Sequence, residues 1–153
     1  MKRMIIPVAA LMIAFSASGQ KVKESDVPAA VKDAFAKQFT SAKNVKWSKE
    51  GEGEFEAEFR SEKGKQSANF DKDGKWLITE TKISEKWLPP AVQATIKKEF
   101  AGYEVEEAEQ AETTDQGSFF EIEFEQKEKT IIAQISFDGK VLKKEEEKEN
   151  EKD

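Results

Sequence analysis

A chain of 153 residues in which hydrophobic and charged residues each make up 37% can build one compact domain, or two halves on a shared core, and is too short for a multidomain enzyme. Its formal charge of −6 opposes phosphate backbones, so nucleic acid is not an expected partner. Cysteine and histidine are both absent, which excludes disulfides, thiolate metal sites, thiol nucleophiles and a Ser-His-Asp triad.

The first nineteen positions carry an export pattern. Lys2 and Arg3 open the chain, Ile5 to Phe15 is apolar, and Ala17-Ser18-Gly19 supplies small residues ahead of Gln20. A spanning helix needs about twenty apolar residues, more than this run offers. Residues 1–19 are therefore expected to be a signal peptide, and the mature chain to be periplasmic or extracellular without a membrane span. Cleavage removes two positive charges and no acid, which moves the formal charge from −6 to −8.

Gln20 to Ser25 is polar and expected to be disordered. Asp26 offers an N-cap carboxylate and Pro28 fits the first turn of a helix, whose stripe of Val27, Val31, Ala34, Phe35 and Phe39 ends near Thr40. Asn44 to Lys49 alternates as a strand. Phe55-Glu56-Ala57-Glu58-Phe59 alternates strictly, with aromatic and apolar residues on one face and acids on the other. A hairpin through Glu62-Lys63-Gly64 would pair Phe59 with Gln66, Ala57 with Ala68 and Phe55 with Phe70. After Asp71-Lys72-Asp73-Gly74 comes a strand from Trp76 to Ile83. A two-residue loop there points Leu77 inward, and a three-residue loop points Trp76 and Ile78 inward.

Pro89-Pro90 opens a second helix with the stripe Leu88, Val92, Ile96 and Phe100. A long acidic strand around Tyr103 to Thr113 follows, and Gly117 turns the chain into Phe119 to Glu125. The return strand Thr130 to Phe137 places Ile131, Ala133, Ile135 and Phe137 on the core face, pairing Phe124 with Ile131, Ile122 with Ala133 and Phe120 with Ile135. A short last strand follows Asp138-Gly139. Residues 145–153 are a charge run without apolar residues, expected to fray or to be disordered.

The chain repeats itself. Phe120-Glu121-Ile122-Glu123-Phe124 rewrites the strand at Phe55, Ala68 falls on Ala133, Phe70 on Ile135, and Asp73-Gly74-Lys75 on Asp138-Gly139-Lys140. Val27-Pro28-Ala29-Ala30-Val31 matches Leu88-Pro89-Pro90-Ala91-Val92 after a short insertion between Phe100 and Phe120 is allowed for. The expected architecture is α+β: a tandem repeat of a helix plus antiparallel strands, residues 20–83 and 84–144, with the helices on one face of the sheet.

An export signal followed by two copies of a Pro-started helix, an aromatic-acidic-apolar-acidic-aromatic strand and an Asp-Gly-Lys turn resembles the PepSY-like family of secreted bacterial proteins. The resemblance covers residues 26 to about 144. Val27-Pro28, Trp47, Phe55 to Phe59 and Phe70 to Lys75 carry it in the first copy, and Leu88-Pro89, Phe120 to Phe124 and Phe137 to Lys140 in the second, which lacks a counterpart of Trp47. It implies a fold like that of β-lactamase inhibitor protein and no established activity.

No catalytic, cofactor-binding or metal-binding residue is assigned. Asp71 and Asp73 beside Gly74 read as turn chemistry, since the remaining ligands of a calcium loop are missing. Glu56 with Glu58, and Glu121 with Glu123, read as a solvated strand face. Phe119 and Ile132 fall on that acidic face, joined by Trp76 and Ile78 or by Leu77 according to register. Together with Glu121 and Glu123 they form a candidate partner-binding face: an apolar patch rimmed by carboxylates, suited to a protein or peptide with a basic rim. The expectation is a non-enzymatic binding or inhibitory module. A hydrolase working with carboxylates alone, and an envelope structural or stress protein without a specific ligand, are the alternatives.

Overall fold

The computed structural model describes residues 19–147, so most of the proposed signal peptide, and the tail beyond residue 147, lie outside the described residues. Two ten-residue helices, Ala29–Gln38 (α1) and Pro90–Glu99 (α2), form where the stripes predict them. The proline entry differs in detail from the expectation. Pro28 is itself the capping residue of α1, and its carbonyl accepts from the Val31 and Lys32 amides at 3.1 Å, while no side chain caps the helix. Asp26 ends a short 3₁₀ turn at Glu24–Asp26 instead. A proline cap works because its fixed φ, here −53°, already leads into the helix.

Nine strands follow one another in space as they do in sequence, each antiparallel to the next: Gln20–Val22 (β1), Lys43–Glu50 (β2), Glu54–Ser61 (β3), Gly64–Asp71 (β4), Trp76–Lys82 (β5), Glu104–Thr113 (β6), Gly117–Gln126 (β7), Lys129–Ile135 (β8) and Val141–Glu147 (β9). Because β5 pairs with β6 over Ile78 to Lys82, the two halves share one continuous sheet. The architecture is thus a single meander carrying two helices, and the expected tandem of helix-plus-strand units understates the sheet. Two further expectations change at its ends. Gln20–Val22 is a paired edge strand, held opposite Trp47, Ser48 and Lys49, and Glu145 to Glu147 pair with Ile132, Ile131 and Thr130. In both places backbone hydrogen bonds to a neighbouring strand order the chain, and at the first Val22 also packs against the α1 core.

The hairpin registers match the spacing arguments. Phe55, Ala57 and Phe59 face Phe70, Ala68 and Gln66, and Phe120, Ile122 and Phe124 face Ile135, Ala133 and Ile131. Residues paired across strands share a face, so one row runs Phe59, Gln66, Thr81, Gln110, Phe120, Ile135. Both helices lie on this face. Val31 and Phe35 of α1 pack with Phe55, Phe59, Phe70 and Trp47, whereas Val92 and Ile96 of α2 pack with Phe100, Phe120, Ile122 and Phe124. Between these two cores the row is polar, and Gln66 Nε2 donates to Thr81 Oγ1 at 2.9 Å.

The turns after β4 and β8 dock the helices. Asp71 Oδ1 accepts from the Asp73 and Lys75 amides, both at 2.9 Å, which is the turn chemistry read from the sequence. Gly74 has φ +85°, and a Cβ there would stand 2.5 Å from the Ala30 carbonyl oxygen of α1. Gly139 has φ +86° with the same relation to Ala91 of α2 at 2.6 Å, and Thr95 Oγ1 donates to the Gly139 carbonyl. Only glycine combines that backbone with that approach. Phe137, expected in the core, lies in this second turn and is 45% exposed, because β8 ends at Ile135.

Candidate functional site: the helix-free face of the sheet

The odd-numbered residues of β7 and their cross-strand partners form the face that neither helix covers. One row across it runs Lys82, Glu109, Glu121, Gln134, Lys143, and the neighbouring row runs Glu58, Ser67, Glu80, Ala111, Phe119. Glu109 and Glu121 are thus directly opposite one another, and Glu80 lies one pair along and one strand over. Beside them on the same face, Ile78, Ala111 and Phe119 form a small buried apolar cluster of their own. A long antiparallel sheet twists and coils, and the crowding on this face is enough to bury Phe119 to 1% and Glu121 to 1% exposure without a helix above.

Burial sets the electrostatics. It pushes the Glu109 carboxyl up to about 8, helped by the charges of Glu80 and Glu107. The same desolvation raises Glu80 to about 7, with Glu121 the strongest neighbouring charge. Glu121 also rises to about 7 through burial, against the Gln134 hydrogen bond to its Oε2 at 3.0 Å. Glu56 is raised as well, first by desolvation. The nearby cations offset this only in part, since Lys82 pairs with Glu107 at 2.5 Å and Lys143 with Glu145 at 2.7 Å. Among the described residues, Glu80 Oε1 and Glu121 Oε1 are buried with no hydrogen-bond partner.

The six candidate face residues divide. Phe119, Glu121, Glu123, Ile132 and Ile78 share the helix-free face by register. Trp76 does not. A bulge between Asn69 and Phe70 puts Trp76 opposite Phe70, where it packs against the α1 core and its Nε1 donates to Thr79 Oγ1 at 2.9 Å. Neither loop alternative for this strand holds, because the bulge sends Trp76 and Ile78 to opposite faces. Phe119 and Ile78 are buried rather than displayed, and Ile132 is half-buried opposite Glu123. The solvated-face reading holds for Glu58, which is exposed, and fails for Glu121, which is buried.

Sequence reasoning missed Glu80 and Glu109. They sit in strands without a clean apolar-acidic alternation, and only the β5–β6 pairing brings them beside Glu121. The available signal was the high density of glutamate from Glu104 to Glu112, which reads equally as solvated surface.

No described helix is long and apolar enough to cross a membrane. No curated protein matches the chain. Among solved structures, a BLIP-like protein from Bacteroides fragilis is 25% identical, with a TM-score of 0.70 over 78% of this chain and 86% of that one. A DUF2874 family protein from Bacteroides ovatus is 23% identical with a TM-score of 0.71 over 78% and 86%. A structure from Bacteroides eggerthii, described among "putative periplasmic proteins", is 18% identical with a TM-score of 0.71 over 78% and 88%. The two lower identities show a shared fold, which is that of the BLIP-like proteins. The family model described as "Putative beta-lactamase-inhibitor-like, PepSY-like" matches residues 14–63 and 53–143, and the chain belongs to this PepSY-like family.

Proposed function

We propose that the chain is an exported, non-enzymatic binding module of the bacterial envelope that presents its helix-free face to a protein or peptide with a basic rim. One observation carries this reading: Glu80, Glu109 and Glu121 share a face that neither α1 nor α2 covers, and the lysines in the row of Glu109 and Glu121 are paired with Glu107 and Glu145. Charge complementarity then selects a cationic partner, and the exposed acids of the same face, such as Glu58, steer its approach. Export is supported by the pattern of residues 1–19 and by the periplasmic description of the Bacteroides eggerthii relative. The absence of histidine and cysteine supports a non-enzymatic role. An acid-base pair divides its labour by pushing two pKa values apart, whereas Glu80, Glu109 and Glu121 all shift upward.

The test places a photo-crosslinker at Glu58 or Ile132 on the helix-free face, and at Lys97 of α2 on the other, in cells of the source organism. A partner captured from the first two positions only, whose purified form associates more slowly with Glu58→Lys than with the parent, supports the reading. Capture from Lys97 alone, or an on-rate indifferent to charge reversal, refutes it.

A further inference from the structure

The helix-free face holds a feature that general acidity does not explain. A buried carboxylate oxygen normally has a hydrogen-bond partner, yet among the described residues Glu80 Oε1 and Glu121 Oε1 have none, while the second oxygens accept from Ser67 Oγ at 3.2 Å and from Gln134 Nε2 at 3.0 Å. We infer that Glu80, Glu109 and Glu121 form a proton-loaded anchor, which gives up protons when a lysine or arginine side chain of the basic partner enters among them. The inference rests on the binding reading above and adds what the face recognises and how acidity regulates it.

The geometry supports each part. Glu109 and Glu121 oppose one another across β6 and β7, and Glu80 of β5 stands one pair along, near enough for its charge to act on Glu109 and to feel that of Glu121. Ile78, Ala111 and Phe119 stand beside the trio on the same face, which lowers the local dielectric and makes three adjacent negative charges costly. Protons held by the carboxyls relieve that cost in the empty state, consistent with pKa values of about 7, 8 and 7 for Glu80, Glu109 and Glu121.

The surrounding charges act in both directions. Glu56 of β3, Glu107 of β6 and Glu145 of β9 add repulsion, while Lys65 of β4, Lys82 of β5 and Lys143 of β9 reduce it. Glu123 lies on the same face of β7. Since Lys82 and Lys143 are held by Glu107 and Glu145, an entering cation supplies the charge that the trio lacks. Among the described residues no group of three or more acids is placed to hold a metal ion. A guanidinium or ammonium, which makes several hydrogen bonds over a wider span, suits carboxylates spread over three strands. Entry is from Glu80 and Glu109, which retain some exposure, whereas Glu121 is 1% exposed.

The experiment uses the full chain and a strand-forming heptapeptide alternating arginine with leucine, with its citrulline counterpart as the neutral control. Calorimetric titration in two buffers of different ionisation enthalpy counts the protons released on binding, at pH 6.5 and pH 8.5. The expected result is release of about one proton per peptide at pH 6.5, and affinity rising up to about tenfold per pH unit while the trio is protonated. Glu109→Gln and Glu121→Gln each reduce the release and flatten the pH dependence. Glu128→Gln, in the exposed turn after β7, leaves both unchanged. Circular dichroism verifies that the variants fold. Binding without proton release, release unchanged in the Gln variants, or equal binding of the citrulline peptide overturns the anchor while leaving the binding reading intact. No binding of the arginine peptide at either pH also overturns the anchor; the crosslinking arms judge the binding reading separately.

Discussion

Truncating Phe124 to alanine probes the core of the second half most directly. Phe124 is 0% exposed, and its ring lies parallel to that of Phe100 with centroids 4.1 Å apart and planes at 4°. It stands between Val105 of β6 and Ile131 of β8, stacked on the Phe100 ring that follows α2. Removing a buried phenylalanine side chain costs about 3–5 kcal/mol in transfer and cavity terms, and an aromatic pair adds about 0.5–1.5 kcal/mol. Against a typical total of about 5–15 kcal/mol, that is a large share. At about 4 °C per kcal/mol for a domain of this size, Tm falls by about 14–26 °C. Urea denaturation followed by circular dichroism measures the loss at constant temperature. Phe137→Ala is the paired control: Phe137 also contacts an aromatic ring, Phe120 at 4.5 Å, but is 45% exposed, and its loss should cost about 1 kcal/mol. If Phe124→Ala unfolds within about 1 kcal/mol of the parent, the packing argument for this core fails.

The remaining predictions use the same assay. Gly74→Ala should destabilise by about 1–3 kcal/mol, and by more than Gly64→Ala, since both have positive φ but only at Gly74 does a Cβ meet backbone within 4 Å; equal losses would remove the helix-docking role of the turn. Phe119→Ala should cost about 3 kcal/mol although no helix covers it, because its side chain is 1% exposed; a neutral substitution would return Phe119 to the surface. Stability should fall as pH rises from 5 to 9. The folded pKa values of Glu80, Glu109 and Glu121 lie above 4.5, so their contribution is full below pH 4.5 and is lost as pH passes through about 7 to 8. Glu109→Gln should flatten that fall and add about 1–3 kcal/mol at pH 9, and stability that instead rises toward pH 9 would contradict the burial of these carboxyls.

Local pattern sufficed for much of this protein. Alternation in Phe55 to Phe59 and Phe120 to Phe124 determined which residues face the helices, because side-chain direction along a strand has period two and an error of one residue would expose every phenylalanine. Equal spacing about Gly64, and about the turn after Gln126, determined both hairpin registers, and helical stripes beginning at proline placed α1 and α2. Tertiary structure decided what period and spacing do not encode. Whether the two halves stand apart or share a sheet depends on the β5–β6 pairing, which joins residues far apart in sequence. Trp76 and Ile78 part company at a bulge, a backbone event without a residue signature here. Most consequentially, a glutamate facing away from the helices reads as solvated wherever it occurs. Only the coming together of β5, β6 and β7 buries Glu121 and half-buries Glu80 and Glu109 beside it, because desolvation and charge repulsion depend on distance in space and not on distance along the chain.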